Sequence, residues 1–287
     1  MILFWLSRIE VYVAMIKNNI AFIGGYEPLT AKIFKNSKKN FKKSIFIDLS
    51  NSKLTKEKKI FSLKVYEFEK IISLLIKFDI KNVCLIGKIN RPNLSNIKID
   101  NVLAKYISQI MNKYKKGDGQ TLNLILTILR SEGFKVNSLK SADETFYFNK
   151  NDIEYVLNKN SNDKHDINKG VSLLNKISKY DNAQSVVISN GYILGVEATE
   201  GTDLLLKRVS IEKKKLKLNK REGILIKISK KAHSNAVDNP VIGPKTILNI
   251  VKANLNGIAI KKSNTIIFNK SKVIRLIKEN KLNLYFL

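Results

Sequence analysis

The first half of the chain alternates short apolar runs with a segment of helical spacing, and this rhythm limits the folds open to it. Apolar runs cover residues 19–23, 44–49 and 81–86, and residues 67–78 carry apolar side chains at helical spacing. Strands that alternate with helices form a parallel sheet flanked by those helices. We therefore predict an α/β fold with an N-terminal Rossmann-like, parallel-sheet domain. Two further helices are predicted at 100–114 and 119–131.

The second half opens its strands with a hairpin signal. Residues 185–198 read SVVISNGYILGVEA, in which two apolar runs flank Asn190-Gly191. This pair is preferred in two-residue type I′ turns, so residues 185–198 predict an antiparallel hairpin. Strands are also predicted at 223–228, 257–260, 265–268 and 282–287, and helices at 167–180, 245–255 and 271–280. A hairpin joined to strand and helix units indicates a C-terminal mixed α/β domain.

A polar segment separates the two halves. Residues 142–165 are rich in Asn, Asp and Lys, as segments between domains often are. We predict an N-terminal domain at 15–141, a linker at 142–165 and a C-terminal catalytic α/β domain at 166–287. Residues 1–14 precede the first strand signal and are interpreted as an extension, with Met15 as the start. A short membrane-touching segment is the alternative for residues 1–14.

The chain is strongly basic, with 52 Lys and Arg against 24 Asp and Glu and a formal net charge of +28. Clustered basic residues bind nucleic acid by releasing counterions from its phosphates. Here the lysines are spread along the chain among many Asn and Ile, which is typical of AT-rich coding sequence. No concentrated Arg patch or aromatic-rich motif is present, so no nucleic acid is expected. Two interpretations remain, a solvated surface or a basic face for a polyanion or an anionic membrane.

Cysteine and histidine usage limits the chemistry further. The single Cys84 cannot form an internal disulfide, which favours a reducing compartment. No apolar run reaches the roughly 18 residues that a spanning helix needs, so we expect a cytoplasmic protein, at most peripheral at the inner membrane. The two histidines, His165 and His233, show no zinc-ligand spacing. A bound metal would then take oxygen ligands, which favours Mg²⁺ or Mn²⁺.

Three glycine-containing loops of the first half have the composition of phosphate-binding loops. Residues 24–29 (GGYEPL) follow the first predicted strand, residues 87–92 (GKINRP) follow a later one, and residues 116–119 (KGDG) precede a helix. Ligands in open α/β sheets bind beyond the carboxyl ends of strands, and helix starts attract anions. Plainer interpretations are a strand-to-helix turn, a turn stiffened by Pro92 and a helix cap by Asp118. The candidate substrate-binding residues here are Gly24, Gly25, Asn90, Arg91, Lys116, Gly117 and Asp118.

Two segments of the second half combine acidic residues with glycine. Residues 197–203 (EATEGTD) hold three acidic side chains in seven residues, which suits a hard cation. A helix cap by Thr202 or Asp203 is an equally good interpretation. Residues 237–246 (VDNPVIGPKT) place Asp238 before proline and glycine, where an aspartate is usually a turn residue.

The ordered segments GGYEPL, GKINRP, KGDG, VISNGYILGVEATEGTDLLLKR and DNPVIGPKT together resemble the UDP-2,3-diacylglucosamine pyrophosphatases of the LpxI type. The resemblance covers residues 16–286 and is most specific in the last two segments. It implies a two-domain, metal-dependent hydrolase of lipid A synthesis that holds a lipid-linked UDP-sugar between its domains. Such enzymes release UMP and 2,3-diacylglucosamine 1-phosphate. Brief contact with the inner-membrane surface and a homodimer are candidate associations.

The resemblance also implies residue roles. The family's essential aspartate, in its D-L-P-x-I-G motif, falls on Asp238, which becomes the candidate catalytic residue. The E-G-T-D segment falls on residues 200–203. The implied ligands of Mg²⁺ or Mn²⁺ are Asp238, Asp203 and Glu200. The implied substrate-binding residues are Gly201, Thr202, Gly243, Lys245 and Thr246.

The chain departs from the family pattern at several positions. Tyr26 stands where the family has a third glycine, Gly119 where it has a second aspartate, and Asn239 where it has leucine. Residues 67–69 read EFE where the family has a glycine-containing segment. Two alternative functions stay open, one because Gly119 replaces a carboxylate and one because the net charge is +28. One is a catalytically inactive nucleotide-sugar-binding homologue, and the other is a basic nucleic-acid-binding protein.

Overall fold

The chain folds as two units, one ending at Glu144 and the other beginning at Thr145. The computed structural model describes residues 18–50, 57–89, 99–106, 119–149, 151–152, 161–178, 183–218, 220–229 and 239–287. Residues 1–14 and Met15 lie outside the described residues. The domain and linker boundaries predicted from composition stay predictions.

The N-terminal unit is built around five described strands. They are β1 (Ile20–Gly24), β2 (Ser44–Asp48), β3 (Ile60–Ser62), β4 (Asn82–Leu85) and β5 (Lys135–Val136). Its described helices are α1 (Pro28–Asn40), α2 (Phe68–Lys77), α3 (Asn101–Lys105), α4 (Gly119–Ser131) and α5 (Leu139–Ala142), followed by a 3₁₀ turn at Glu144–Phe146. All strand pairs are parallel, in the order β3-β2-β1-β4-β5. The predicted parallel sheet is confirmed, and its order is that of doubly wound folds.

The central strands read as continuous apolar runs because both of their faces are covered. Every residue of β1 and β2 is buried. Phe34 of α1 packs edge-on against Phe22 and Phe46, with ring centroids 6.5 and 5.8 Å apart. On β4, burial raises the pKa of the Cys84 thiol to about 12, so this cysteine stays protonated and unreactive.

The C-terminal unit has a mixed sheet. Its described strands are β6 (Ser185–Ser189), β7 (Tyr192–Val196), β8 (Ile224–Lys227), β9 (Val241–Ile242), β10 (Gly257–Ile260), β11 (Ile266–Ile267) and β12 (Asn283–Phe286). Its described helices are α6 (Ser161–Ile177), α7 (Thr202–Lys215), α8 (Pro244–Lys252) and α9 (Lys270–Glu279). The main sheet runs β12-β10-β8-β6-β7, and β9 pairs with β11 in a separate two-stranded sheet. The predicted mixed α/β architecture is confirmed.

The predicted hairpin is present, and a helix holds its turn. Asn190 and Gly191 have φ values of 48° and 80°, as a type I′ turn requires. Asp166 of α6 accepts a hydrogen bond from the Gly191 N–H at 2.7 Å, and Lys169 donates to the Gly191 carbonyl at 2.6 Å. Nearer the start of α6, Asp163 accepts hydrogen bonds from the Asn256 and Asn283 amides and the Tyr285 hydroxyl at 3.0, 3.1 and 2.7 Å.

Two differences from the predicted elements have physical causes. Helix α6 begins at Ser161 rather than near residue 167, because Asp163 and Asp166 are buried through hydrogen bonds that composition does not reveal. Strands β3 and β5 were not predicted, since three and two residues are too few to show a period. Of the helix predicted at 100–114, α3 covers Asn101–Lys105, and residues 107–114 lie outside the described residues.

Backbone packing between two loops requires the first glycines. A Cβ on Gly24 would lie 1.8 Å from the Ile86 carbonyl oxygen, and one on Gly25 would lie 2.4 Å from the Lys88 carbonyl oxygen. Gly87 has a φ of +79°, and its Cβ would lie 2.6 Å from the Gly25 carbonyl oxygen. The loops after β1 and β4 therefore meet backbone to backbone, at the switch point of the strand order.

We expect Gly24→Ala to lower the stability of the N-terminal unit by about 2 kcal/mol or more, because the new methyl group meets a carbonyl oxygen. The control is Gly133→Ala. Gly133 also has a positive φ, +88°, but its Cβ would enter open space, so only backbone strain of roughly 1 kcal/mol is expected. Calorimetric unfolding of both full-length variants measures the difference. Equal melting temperatures would contradict the close approach.

Candidate active site

The candidate site of the C-terminal unit lies where helices α7 and α8 begin. Asp203, in the first turn of α7, contacts two side chains of α8. Its carboxylate lies 3.0 Å from the Lys245 ammonium and accepts a hydrogen bond from the Asn249 amide at 3.2 Å. The structure thus brings together Thr202, Asp203 and Lys245, three of the predicted residues. Two helix starts side by side present backbone N–H groups and favour an anion.

The other predicted residues of this part flank the same helix starts. Gly201 is the N-cap of α7, with a φ of 80°, and Gly243 is the N-cap of α8, directly before Pro244. Thr246 is buried in the first turn of α8. The strand before Gly243 is fixed by its pairing with β11, where the Ile266 N–H donates to the Pro240 carbonyl at 2.8 Å.

Beneath the start of α7 lies a buried polar cluster, which we call the buried quartet: Ser185, Glu197, Thr202 and Lys227. Each of the four residues is at most 8% exposed. The Thr202 hydroxyl donates to Glu197 Oε1 at 3.1 Å and accepts from the Lys227 ammonium at 2.5 Å. It also lies 3.1 Å from the Ser185 hydroxyl. Since Thr202 has one hydroxyl hydrogen, and Glu197 takes it, Ser185 is the donor in that pair.

The register of three neighbouring strands creates the quartet. Ser185 of β6 pairs with Lys227 of β8, and the Glu197 N–H after β7 donates to the Ser185 carbonyl at 2.9 Å. Alternation then puts Ser185 and Lys227 on the same sheet face as the buried Val187 and Leu225. The apolar rows of this face therefore end in polar side chains. Opposite charges on Glu197 and Lys227, joined through Thr202, offset the cost of burying either one alone.

One atom of the quartet is not satisfied. Within the described part of the chain, Glu197 Oε2 is buried and has no hydrogen-bond partner. Buried carboxylate oxygens are rarely left in this state. In the sequence, Glu197 stood out only as one of three acidic residues within a seven-residue segment, whereas its carboxylate is buried and those of Glu200 and Asp203 are partly exposed.

Glu200 and Asp203, two of the three implied metal ligands, both hold basic side chains. Glu200 lies 2.8 Å from Arg208 and accepts from the Ala198 N–H at 3.0 Å. The hydrogen bond from Arg208 keeps the pKa of the Glu200 carboxyl below its usual range. No group of three or more His, Cys, Asp or Glu that could hold a metal occurs among the described residues. Asp238 lies outside the described residues, so the metal and catalytic assignments stay predictions.

The first-half candidates are only partly described. Asn90, Arg91, Lys116, Gly117 and Asp118 lie outside the described residues. Gly24 and Gly25 are described, and the packing against the loop after β4 accounts for both without a phosphate. Their role in substrate binding stays a prediction.

A carboxylate missed in the sequence fixes the glycine loop. Asp48, at the end of β2, is buried and accepts from the Tyr26 N–H at 3.1 Å and the Ser50 N–H at 2.9 Å. The Thr30 hydroxyl donates to the Gly25 carbonyl at 2.8 Å. Tyr26, which replaces the family's third glycine, packs its ring against Phe46 at 5.0 Å. The departure at Tyr26 is thus accommodated by backbone and ring contacts.

Sequence reasoning also missed Ser185 and Lys227. Ser185 begins the apolar run SVVIS, and Lys227 ends the apolar run GILIK. A lysine that closes a buried strand is a usable signal. Its partners, however, are set by strand order, which periodicity does not give.

Comparison with known proteins agrees with this two-part organisation. Residues 19–144 match the LpxI N-terminal domain, and residues 155–285 match the LpxI C-terminal domain. The chain is also 29% identical over 212 residues to the UDP-2,3-diacylglucosamine pyrophosphatase LpxI of Caulobacter vibrioides. That alignment covers 72% of this chain and 75% of the relative.

We expect Thr202→Val to destabilise the C-terminal unit by about 1–3 kcal/mol, because it leaves buried polar groups without their shared hydroxyl. Thr202→Ser keeps the hydroxyl and loses one methyl group, so it should cost about 1 kcal/mol or less. Denaturant unfolding of the two variants measures how much the Thr202 hydroxyl contributes to stability through the buried quartet. If the Thr202→Val variant were as stable as the Thr202→Ser variant, the buried quartet would not hold α7 in place.

Proposed function

This chain belongs to the LpxI family, and from that premise we propose that it hydrolyses UDP-2,3-diacylglucosamine to UMP and 2,3-diacylglucosamine 1-phosphate, a step of lipid A synthesis. The activity named for the Caulobacter vibrioides relative is the observation that carries the proposal. The oxygen-rich, histidine-poor composition of the candidate sites supports a phosphoanhydride hydrolase that works with a hard cation.

In the proposed reaction, water attacks the phosphorus next to the sugar. A new P–O bond forms, the bond from that phosphorus to the bridging oxygen breaks, and the oxygen leaves with UMP. Negative charge grows on the leaving phosphate. Lys245 and the backbone N–H groups at the starts of α7 and α8 are suited to hold phosphate oxygens and offset this charge. Asp238 would accept the proton of the attacking water.

We propose Mg²⁺ or Mn²⁺ as the cofactor. When bound, such an ion offsets phosphate charge and acidifies a bound water. The proposed ligands are Asp203, Asp238 and Glu200. Arg208 and Lys245 now pair with Glu200 and Asp203, so both basic side chains would have to move away for the ion to bind. Since the Lys245 side chain is largely exposed, such a movement is sterically open.

The proposed cellular location of the enzyme follows from its substrate. A diacylated sugar nucleotide is lipid-linked, and its UDP part is water-soluble. We propose a cytoplasmic enzyme that meets its substrate at the inner membrane and does not need nucleic acid. A homodimer stays a prediction.

We expect the purified protein to release UMP from UDP-2,3-diacylglucosamine in the presence of Mg²⁺ or Mn²⁺, and to lose this activity in excess EDTA. The reason is that a cation is needed to offset the repulsion between the anionic pyrophosphate and the carboxylates of the site. Chromatography of the nucleotide product measures it. Full activity in EDTA would remove the metal from the mechanism. Binding of UDP-sugars without release of UMP would indicate an inactive homologue. Salt-sensitive binding of RNA or DNA without turnover would indicate a nucleic-acid-binding protein.

We expect Asp238→Ala to lower kcat by roughly 10²-fold or more, the usual contribution of a general base, and to leave the fold and substrate affinity largely intact. Asn239→Leu is the matched control, since it restores the family pattern one residue away. Asn239 Oδ1 is buried without a hydrogen-bond partner in the described part of the chain, so leucine should not reduce stability. Melting temperature, substrate binding and UMP release are measured on each sample. Near-normal turnover of a folded Asp238→Ala variant would exclude Asp238 as the base.

A further inference from the structure

Helix α7 carries apolar side chains on two opposite sides. Leu205, Leu206 and Val209 are fully buried against the sheet. On the side away from the core, Leu204 and Ile211 are 50% and 55% exposed. Seven residues make about two helical turns, so these two side chains form one stripe along the helix. A helix that only covers a core has its polar residues in this position.

Helix α8 adds a third apolar residue to the same surface. Asp203 contacts Lys245 near the starts of both helices, and the Ser210 hydroxyl donates to the Lys252 carbonyl at 2.9 Å near the end of α8. The two helices therefore lie side by side and run in the same direction. Leu248, on α8, is 41% exposed.

Lysines border these apolar side chains. Lys207 and Lys214 are exposed on α7, and Lys252 is exposed on α8. Arg208 and Lys215 are bound to Glu200 and Glu212. In contrast, none of the three bordering lysines has an ion-pair partner among the residues that the structure describes. We call Leu204, Ile211, Leu248, Lys207, Lys214 and Lys252 the apolar–basic face.

We propose that the apolar–basic face docks on the surface of an anionic lipid bilayer. Exposed Leu and Ile side chains can enter the boundary between headgroups and acyl chains, and lysines around them bind anionic headgroups. The long lysine stems suit this border, because they lie along apolar surface and keep the charge at the headgroups. Within the described residues, no helix is long and apolar enough to cross a bilayer. The face would thus lie on the membrane rather than pass through it.

Two other partners fit the face less well. A second copy of the chain would set lysines against lysines across the contact. A nucleic acid would use the lysines and leave the Leu and Ile side chains exposed. The bilayer satisfies both halves of the face. It would also bring the start of α7, with Thr202 and Asp203, to the surface that supplies a lipid substrate. The proposal goes beyond hydrolysis and does not depend on turnover.

The test is co-flotation of the full chain with vesicles that contain no substrate. Vesicles of phosphatidylcholine alone are compared with vesicles that also contain phosphatidylglycerol. We expect binding to the anionic vesicles only, weakened by added salt. Leu204→Ser/Ile211→Ser and Lys207→Glu/Lys214→Glu should each weaken that binding on the order of tenfold or more.

Matched controls use exposed residues elsewhere. Ile76→Ser/Tyr192→Ser removes two exposed apolar side chains, 69% and 75% exposed, and Lys35→Glu/Lys39→Glu makes the same charge change on α1. Both controls should bind anionic vesicles as the unaltered chain does. Equal losses in the face variants and their matched controls would show that binding is not confined to this face and would overturn the proposal.

Three other outcomes also overturn it. They are no binding to anionic vesicles, equal binding to neutral vesicles, and a dimer that Leu204→Ser/Ile211→Ser separates without a change in vesicle binding. The two proposals fail separately. Vesicle binding that depends on the apolar–basic face, without any UMP release, would contradict the proposed reaction and support the docking surface.

Discussion

The Thr202 hydroxyl joins a buried lysine to a buried carboxylate, and much of the C-terminal unit is positioned by that link. Lys227 ends a central strand, Glu197 ends the hairpin, and Thr202 begins α7. One side chain therefore fixes where the helix starts relative to the sheet. The start of α7 in turn sets Asp203, and Asp203 holds α8 through Lys245 and Asn249. The geometry of the candidate site thus depends on a contact one layer below it.

The two units solve the same problem with different chemistry. In each, loops leave the carboxyl edge of a sheet and must be held without regular strand pairing. The N-terminal unit uses backbone contact between glycines and one buried carboxylate, Asp48, that accepts N–H groups of its own and the neighbouring loop. The C-terminal unit uses charged and hydroxyl side chains. The glycine contacts of the N-terminal unit tolerate almost no added side-chain volume. The polar contacts of the C-terminal unit require that each buried polar group keeps a hydrogen-bond partner.

Local patterns in the sequence predicted what is locally determined. The Asn190-Gly191 turn, the buried strands β1 and β2 and the helix over residues 67–78 follow from propensity and period. The beginning of α6 did not follow, because Asp163 is acceptable in a buried position only through the donors Asn256, Asn283 and Tyr285, which are distant in sequence. Lys227 was missed for the same reason. The family motifs located Thr202, Asp203 and Lys245, but not the quartet that supports them.

The clamp on the hairpin turn changes what that turn can tolerate. A two-residue turn at the tip of an edge hairpin is ordinarily the place where a chain accepts extra residues, and where an engineer would insert an epitope or a fluorophore. Here both the N–H and the carbonyl of Gly191 are already bound to α6, by Asp166 and Lys169. Lengthening the turn would break these two hydrogen bonds to the helix that packs on β6 and β8. In this protein, the hairpin tip is part of the packing between the sheet and α6, and an insertion there would disturb that packing.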